Sequence, residues 1–217
     1  VEDITPDSIP GLPAALEGVD PAELPLFDTT NQRIAAPMAR PGTIWCIGLN
    51  YSDHAAESGM PVPEEPILFN KSACTFCGPD DPLLYSDKMT KLDWEVELGV
   101  VIGKAALNVS REEALTHVLG YCVVNDVSER AWQAERGGQW TKGKSFPNFC
   151  PVGPELVTGD AVGDPGQLAL WCEVNGERVQ DGTTAKMIFD VATVVSYLSQ
   201  FTRLEPGDLI CTGTPPG

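Results

Sequence analysis

A chain of 217 residues with 42% hydrophobic content and a mean hydropathy of −0.08 can bury a substantial core, and its formal charge of −17 excludes a nucleic-acid surface, which needs clustered Lys and Arg. No apolar run reaches the about 18 residues of a transmembrane helix, and the N-terminus lacks the charged-then-apolar pattern of a signal peptide. The seven cysteines are odd in number and sit mostly in apolar, strand-like runs, which fits free thiols in a reducing cytoplasm better than a disulfide framework.

In chain order, residues 1–42 are acidic and Pro-rich, with short helix signals at Pro10–Leu16 and at Asp20-Pro21-Ala22-Glu23, where Asp caps and Pro takes the first helical position. They read as a wrapping segment without a motif. Thr43–Ile47 is an apolar strand ended by Gly48. Asn50 or Ser52 can cap the helix that follows, which Gly59 and Pro61 stop, and on it His54 and Glu57 face each other at i, i+3. Ile67–Phe69 is a brief strand with Lys71 just past its end. Cys74 and Cys77 form a lone CxxC with no second pair and no nearby His, so they read as buried thiols, not a zinc or redox site. Pro79–Pro82 is a turn.

Leu92 to Leu98, running on to Gly103, alternates apolar and acidic residues: Leu92, Trp94, Val96 and Leu98 on one face, Asp93, Glu95 and Glu97 on the other. Residues two apart on a strand are separated by about 6.5–7 Å, so Glu95 and Glu97 can converge on one point. An isolated ExE is more often a solvated strand face than a cation site; the rest of the chain shifts the balance. Ser110-Arg111-Glu112-Glu113 is a capping box opening a helix to Leu119, closed by Gly120, with His117 in a structural position. Tyr121–Asn125 is a strand that delivers Asp126 at its end. Val127–Gly143 reads as a helix and a Gly-rich loop, followed by Lys144. Leu168–Val174 is a strand ending at the hairpin signal Asn175-Gly176, and Asp190 caps a helix whose stripe is Val191, Val194, Val195, Leu198 and Phe201. Pro206-Gly207 is a turn before the last strand, Leu209–Cys211. Strands outnumber helices without regular alternation, so the expected fold is β-rich α+β and not a dinucleotide-binding sheet. The chain opens without Met and stops in a Thr-Gly-Thr-Pro-Pro-Gly loop after a strand, so further protein is expected beyond this sequence.

Taken together and in order, Gly48-Leu49-Asn50-Tyr51 with Asp53-His54-Ala55-Ala56-Glu57, Asp93-Trp94-Glu95-Val96-Glu97-Leu98, Gly120-Tyr121 with Asn125-Asp126-Val127-Ser128-Glu129-Arg130, Gly143-Lys144-Ser145-Phe146, Val174-Asn175-Gly176-Glu177, and Pro206-Gly207-Asp208-Leu209-Ile210 with Thr212-Gly213-Thr214-Pro215 resemble the fumarylacetoacetate hydrolase family. The resemblance covers residues 43–217. It implies a catalytic domain there, built as a mixed-sheet β-roll or sandwich with a few short helices and incomplete at its C-terminus, with residues 1–42 as an N-terminal remnant. It places metal ligands at Glu95, Glu97 and Asp126, catalytic residues at His54, Glu57 and Lys144, and substrate contacts at Arg130, Gln133 and Thr214. Many relatives carry Asp-Thr after Lys-Ser-x, whereas this chain has Pro147-Asn148, which alters the expected loop after Lys144.

Three carboxylates without Cys or His suit a hard cation, Mg²⁺ first, with Mn²⁺ and Ca²⁺ as alternatives. The implied activity is hydrolysis of a C–C bond in a 2,4-diketo acid of the acylpyruvate type, by a cytoplasmic homodimer in aromatic or sugar acid catabolism. The surroundings of Gly138-Gln139-Trp140 and Leu170-Trp171 are similar to relatives acting on diketo-deoxy sugar acids. The rivals are an isomerase or decarboxylase of a 2-oxo dicarboxylic acid and a non-catalytic divalent-cation-binding protein. Ion storage alone needs none of His54, Glu57 and Lys144.

Overall fold

The apolar run Val96–Ile102 lies near the centre of a six-stranded sheet in the computed structural model, which describes residues 4–25 and 28–217; residues 1–3 and 26–27 of the expected wrapping segment lie outside the described residues. In chain order, a 3₁₀ turn and α1 (Leu12–Leu16) precede β1 (Ile44–Gly48), α2 (Ser52–Ser58), β2 (Ile67–Lys71) and β3 (Phe76–Cys77). Next come β4 (Leu92–Asp93), β5 (Val96–Ile102), α3 (Arg111–Ala114), β6 (Val118–Asn125) and β7 (Ser128–Glu129). Then α4 (Arg130–Ala134), α5 (Thr141–Lys144), β8 (Cys150–Pro151), β9 (Val157–Thr158) and α6 (Gly159–Val162) lead to the hairpin of β10 (Ala169–Val174) and β11 (Glu177–Thr183). The last elements are α7 (Val191–Ser199) and β12 (Leu209–Cys211).

The main sheet has the order β2-β1-β12-β5-β6-β9, and only β1 and β12 pair in parallel. The fold is therefore α+β, sheet-rich, with a few short helices. Alternation along β5 sends Val96, Leu98, Val100 and Ile102 into a core with α7, and Val101 into a second core on the opposite face with Cys46, Cys122 and Cys211. Burial on both faces explains why all seven residues of β5 are inaccessible. The N-terminal segment contributes Ile9, Ala36 and Met38 to the second core, and Ala39 N–H donates to the carbonyl of Ile4 at 2.9 Å.

Several expectations need correction. The strand expected to run unbroken from Leu92 is interrupted at Trp94 and Glu95: β4 pairs with β7, and only β5 joins the main sheet. Side chains capture the backbone there, since Trp94 N–H donates to Asp93 Oδ1 at 3.0 Å and Glu95 N–H to Asn125 Oδ1 at 3.1 Å. On the acidic face Glu95 and Glu97 are buried, as a site requires, and Asp93 is half-buried. Neither Asn50 nor Ser52 caps α2, whose N-cap is Tyr51 without a side-chain bond. Buried Asn50 instead ties three segments, donating to the carbonyls of Phe189 and Thr212 and accepting from Phe189 N–H.

The capping box at Ser110 and Glu113 forms, but the helix ends at Ala114 and becomes a 3₁₀ turn, and Gly120 lies inside β6. The strong β run Val118–Asn125 claims those residues for the sheet. Phe201 falls beyond α7 and is exposed, and Cys74 is exposed where Cys77 is buried. Lys71 closes β2 from within the strand. No helix of the described residues is long and apolar enough to cross a membrane.

Candidate functional site

Glu95 precedes β5, Glu97 is its second residue, and Asp126 follows β6. The antiparallel register pairs Val96 with Asn125, so the three acids meet at one end of the β5–β6 ladder. Each offers a carboxylate oxygen within 4.8 Å of the other two, and all three are buried. Glu97 Oε2 accepts a hydrogen bond of 2.8 Å from Gly213 N–H. Gly213 holds φ at +97°, and a Cβ there would lie 2.8 Å from Asn50 Cβ, so a larger residue would displace this donor.

Buried carboxylates require cations, and the fold brings three. The Lys144 ammonium lies 2.7 Å from Glu95 Oε2 and 2.7 Å from Asp126 Oδ2. It reaches them from α5, which packs against α4 because residue 143 is glycine: a Cβ there would lie 2.4 Å from Gln133 N and 2.5 Å from Glu129 O. Lys71, at the end of β2, ion-pairs with Asp126 Oδ1 and donates to the Val127 carbonyl at 3.0 Å. Arg130 opens α4, sits 2.6 Å from Glu95 Oε1, and is held from the side by Asp93 Oδ2 at 2.7 Å.

Titration follows from this arrangement. Burial, then the charges of Asp126 and Glu95, push Glu97 well above the ordinary carboxylate range. Burial alone would also raise Asp126, but Lys144 and Lys71 outweigh it and hold that carboxyl low. Burial opposes the charge on Lys144, yet Asp126, Glu95 and Glu97 outweigh burial and keep it cationic. Lys144 is therefore suited to stabilising negative charge and unsuited to taking a proton.

His54 and Glu57 face each other on α2 with Nδ1 and Oε2 at 3.0 Å. With Nδ1 donating to the carboxylate, Nε2 remains as the acceptor. A cavity of about 220 Å³ is lined by His54, Glu95, Glu97, Arg130, Gln133, Lys144 and Thr214. Asp126 and Glu57 do not line it but are each bonded to a residue that does, Lys144 and His54. Gln133 Oε1 accepts from Arg130 Nη1 at 3.0 Å. The Thr214 hydroxyl donates to the Val96 carbonyl and accepts from Gln180 Nε2, both at 2.9 Å. The rest of the lining is largely apolar: Ile47, Leu49, Met60, Phe69, Ala134 and Trp140.

The nine residues singled out in the sequence thus gather in or directly behind one cavity. Three contributors were not singled out: Lys71, Asp93 and the Gly213 N–H. A lysine closing the apolar run Ile67-Leu68-Phe69 was the available signal for the first, and the leading acid of Asp-x-Glu-x-Glu for the second.

The three convergent oxygens, free of nitrogen and sulfur ligands, fit a hard divalent ion, and Glu97, pressed toward its neutral form by burial and by the two neighbouring carboxylates, is where a cation would restore the charge. The family model described as fumarylacetoacetate (FAA) hydrolase C-terminal matches residues 43–217. A Burkholderia ambifaria protein, provisionally named a hydrolase, is 56% identical over 202 residues, covering 93% of this chain and 71% of that one. The fumarylacetoacetate hydrolase structure from Exiguobacterium antarcticum aligns with a TM-score of 0.84 at 39% identity, over 97% of this chain and 76% of that one. A 2-hydroxyhepta-2,4-diene-1,7-dioate isomerase structure from Mycobacterium marinum aligns with a TM-score of 0.76 at 39% identity, over 85% of this chain and 68% of that one.

Proposed function

This chain belongs to the fumarylacetoacetate hydrolase family, and from that premise we propose that it is a divalent-metal-dependent hydrolase cleaving a carbon–carbon bond in a 2,4-diketo acid of the acylpyruvate type. The observation that carries this reading is the placement of a His–Glu pair and a carboxylate–lysine–arginine cluster on one small cavity. Glu95, Glu97 and Asp126 would hold the ion, with Mg²⁺ the first choice. When bound, it supplies Lewis-acid polarisation to the acid and keto oxygens of the substrate.

The protein's own residues carry the remaining chemistry. Arg130, braced by Asp93 and Gln133, orients the carboxylate end. His54 Nε2 takes a proton from water, whose oxygen bonds to the distal carbonyl carbon. The ammonium of Lys144 stabilises the oxyanion that forms. As that oxyanion collapses, the bond to the pyruvate methylene carbon breaks and its electron pair enters an enolate. The proton on His54 returns to the enolate carbon, giving pyruvate and a carboxylic acid.

The isomerase neighbour favours a second reading, isomerisation or decarboxylation of a 2-oxo dicarboxylic acid. A second carboxylate would need a cation at the far end of the cavity. The cationic lining residues are Arg130 and Lys144, both engaged by the acids, and the remaining lining is largely apolar, which supports the acylpyruvate reading. A screen of diketo acids and oxaloacetate with added Mg²⁺, following substrate loss, pyruvate and CO₂ together, tests the choice. Pyruvate with an equivalent carboxylic acid and no CO₂ is expected; CO₂ from oxaloacetate, or substrate loss without cleavage, would replace this reading. The protein is further expected to act as a homodimer in the cytoplasm, a state that sedimentation analysis checks.

A further inference from the structure

Lys71 is the buried cation that the scheme above does not use. Its side chain is fully inaccessible, it does not line the cavity, and its ammonium is shared between Asp126 Oδ1 and the Val127 carbonyl. It therefore cannot touch a substrate. Burying a lysine is costly, and Asp126 already has Lys144 as a partner.

A charge count suggests what the second lysine does. The cluster holds four carboxylates, Asp93, Glu95, Glu97 and Asp126, against three cations, Lys71, Arg130 and Lys144. Fully ionised, it sums to −1, and with a divalent ion held there to +1. Without Lys71 the corresponding sums are −2 and 0. Resting on the metal-and-acid reading above, we propose that Lys71 is a positioning residue that acts through charge: it fixes Asp126 by one oxygen and keeps the metal-loaded site net positive toward an anionic ligand. Lys71 weakens the metal somewhat and strengthens the acid, and these opposite signs separate the role from that of a simple brace.

The test is calorimetry of Mg²⁺ binding, and of oxalate binding at saturating Mg²⁺, in the wild type and three variants. Lys71→Met should bind Mg²⁺ about tenfold more tightly and oxalate about tenfold more weakly, the scale of one charge removed from a partly screened site. Asp126→Asn should weaken Mg²⁺ but strengthen oxalate. The double variant Lys71→Met/Asp126→Asn removes the pair together, leaves no buried charge alone, and should return oxalate affinity close to the wild type. If Lys71→Met does not fold, the comparison of Asp126→Asn with the double variant still reads the charge of Lys71, which must show as weaker oxalate binding in the double. Loss of both affinities on removing Lys71, or oxalate affinity indifferent to it, overturns the inference. Absence of Mg²⁺-dependent oxalate binding by the wild type overturns the metal-and-acid reading itself.

Discussion

His54 has one ring nitrogen engaged by Glu57 and lines the cavity together with Glu95 and Glu97, and no hydrogen bond joins it to those carboxylates. Replacing it should therefore remove a base without removing a ligand. His54→Ala is expected to lower hydrolysis by about 10²–10⁴-fold, the usual contribution of a positioned base, with Mg²⁺ and oxalate affinity nearly unchanged. Assay and calorimetry on one preparation check both halves, and loss of metal binding would make the histidine a ligand. The facing pairs His54–Glu57 and Glu95–Glu97 were legible from i, i+3 and i, i+2 spacing, and the family resemblance marked them as parts of a site. For Lys71 and Asp93 the sequence offered a position but not a role, since the roles arise only when β2 is placed beside Asp126 and α4 beside β4.

At the scale of elements, α7 rests on its cap. Asp190 accepts from Thr193 N–H at 2.8 Å and pairs with Arg111 from α3. Burial opposes ionisation of Asp190, but the bonds to Thr193 and the guanidinium of Arg111 outweigh it and lower its pKa below the ordinary 3.8. A carboxylate depressed on folding adds stability that is present above the unfolded pKa and disappears as pH falls through the folded one. Asp190→Ala should thus cost about 1 kcal/mol at neutral pH, with the gap to the wild type closing below about pH 4. Urea melts at both pH values measure this, and a pH-independent gap would contradict it. This cap was legible because Asp before an apolar 3.6-residue stripe is a local signal. The break at Trp94 and Glu95 was not, since it depends on Asn125 from another strand reaching the backbone.

For the molecule as a whole, the acidic N-terminal segment belongs to the fold's second core. Ile9 is fully buried there, so Ile9→Ala should destabilise the protein by about 2–5 kcal/mol, read as a lower unfolding midpoint at unchanged urea slope. A change of a few tenths would mean that the segment wraps without supporting the sheet. The sheet-rich class was legible from short apolar runs bounded by Gly and Pro. The covering of both faces of β5 was not, because period-two alternation with acids on one side is the pattern of a half-exposed strand until Lys144 and Arg130, from distant parts of the chain, arrive to pair with Glu95. In this reading one cavity joins a metal-held acid site to a His–Glu base. Following an acylpyruvate in the wild type, with and without EDTA, and in Glu97→Gln decides it. Stoichiometric pyruvate and carboxylic acid that vanish with EDTA, return with Mg²⁺ and fall sharply in Glu97→Gln are the predicted result; cleavage indifferent to EDTA and to Glu97→Gln would contradict it.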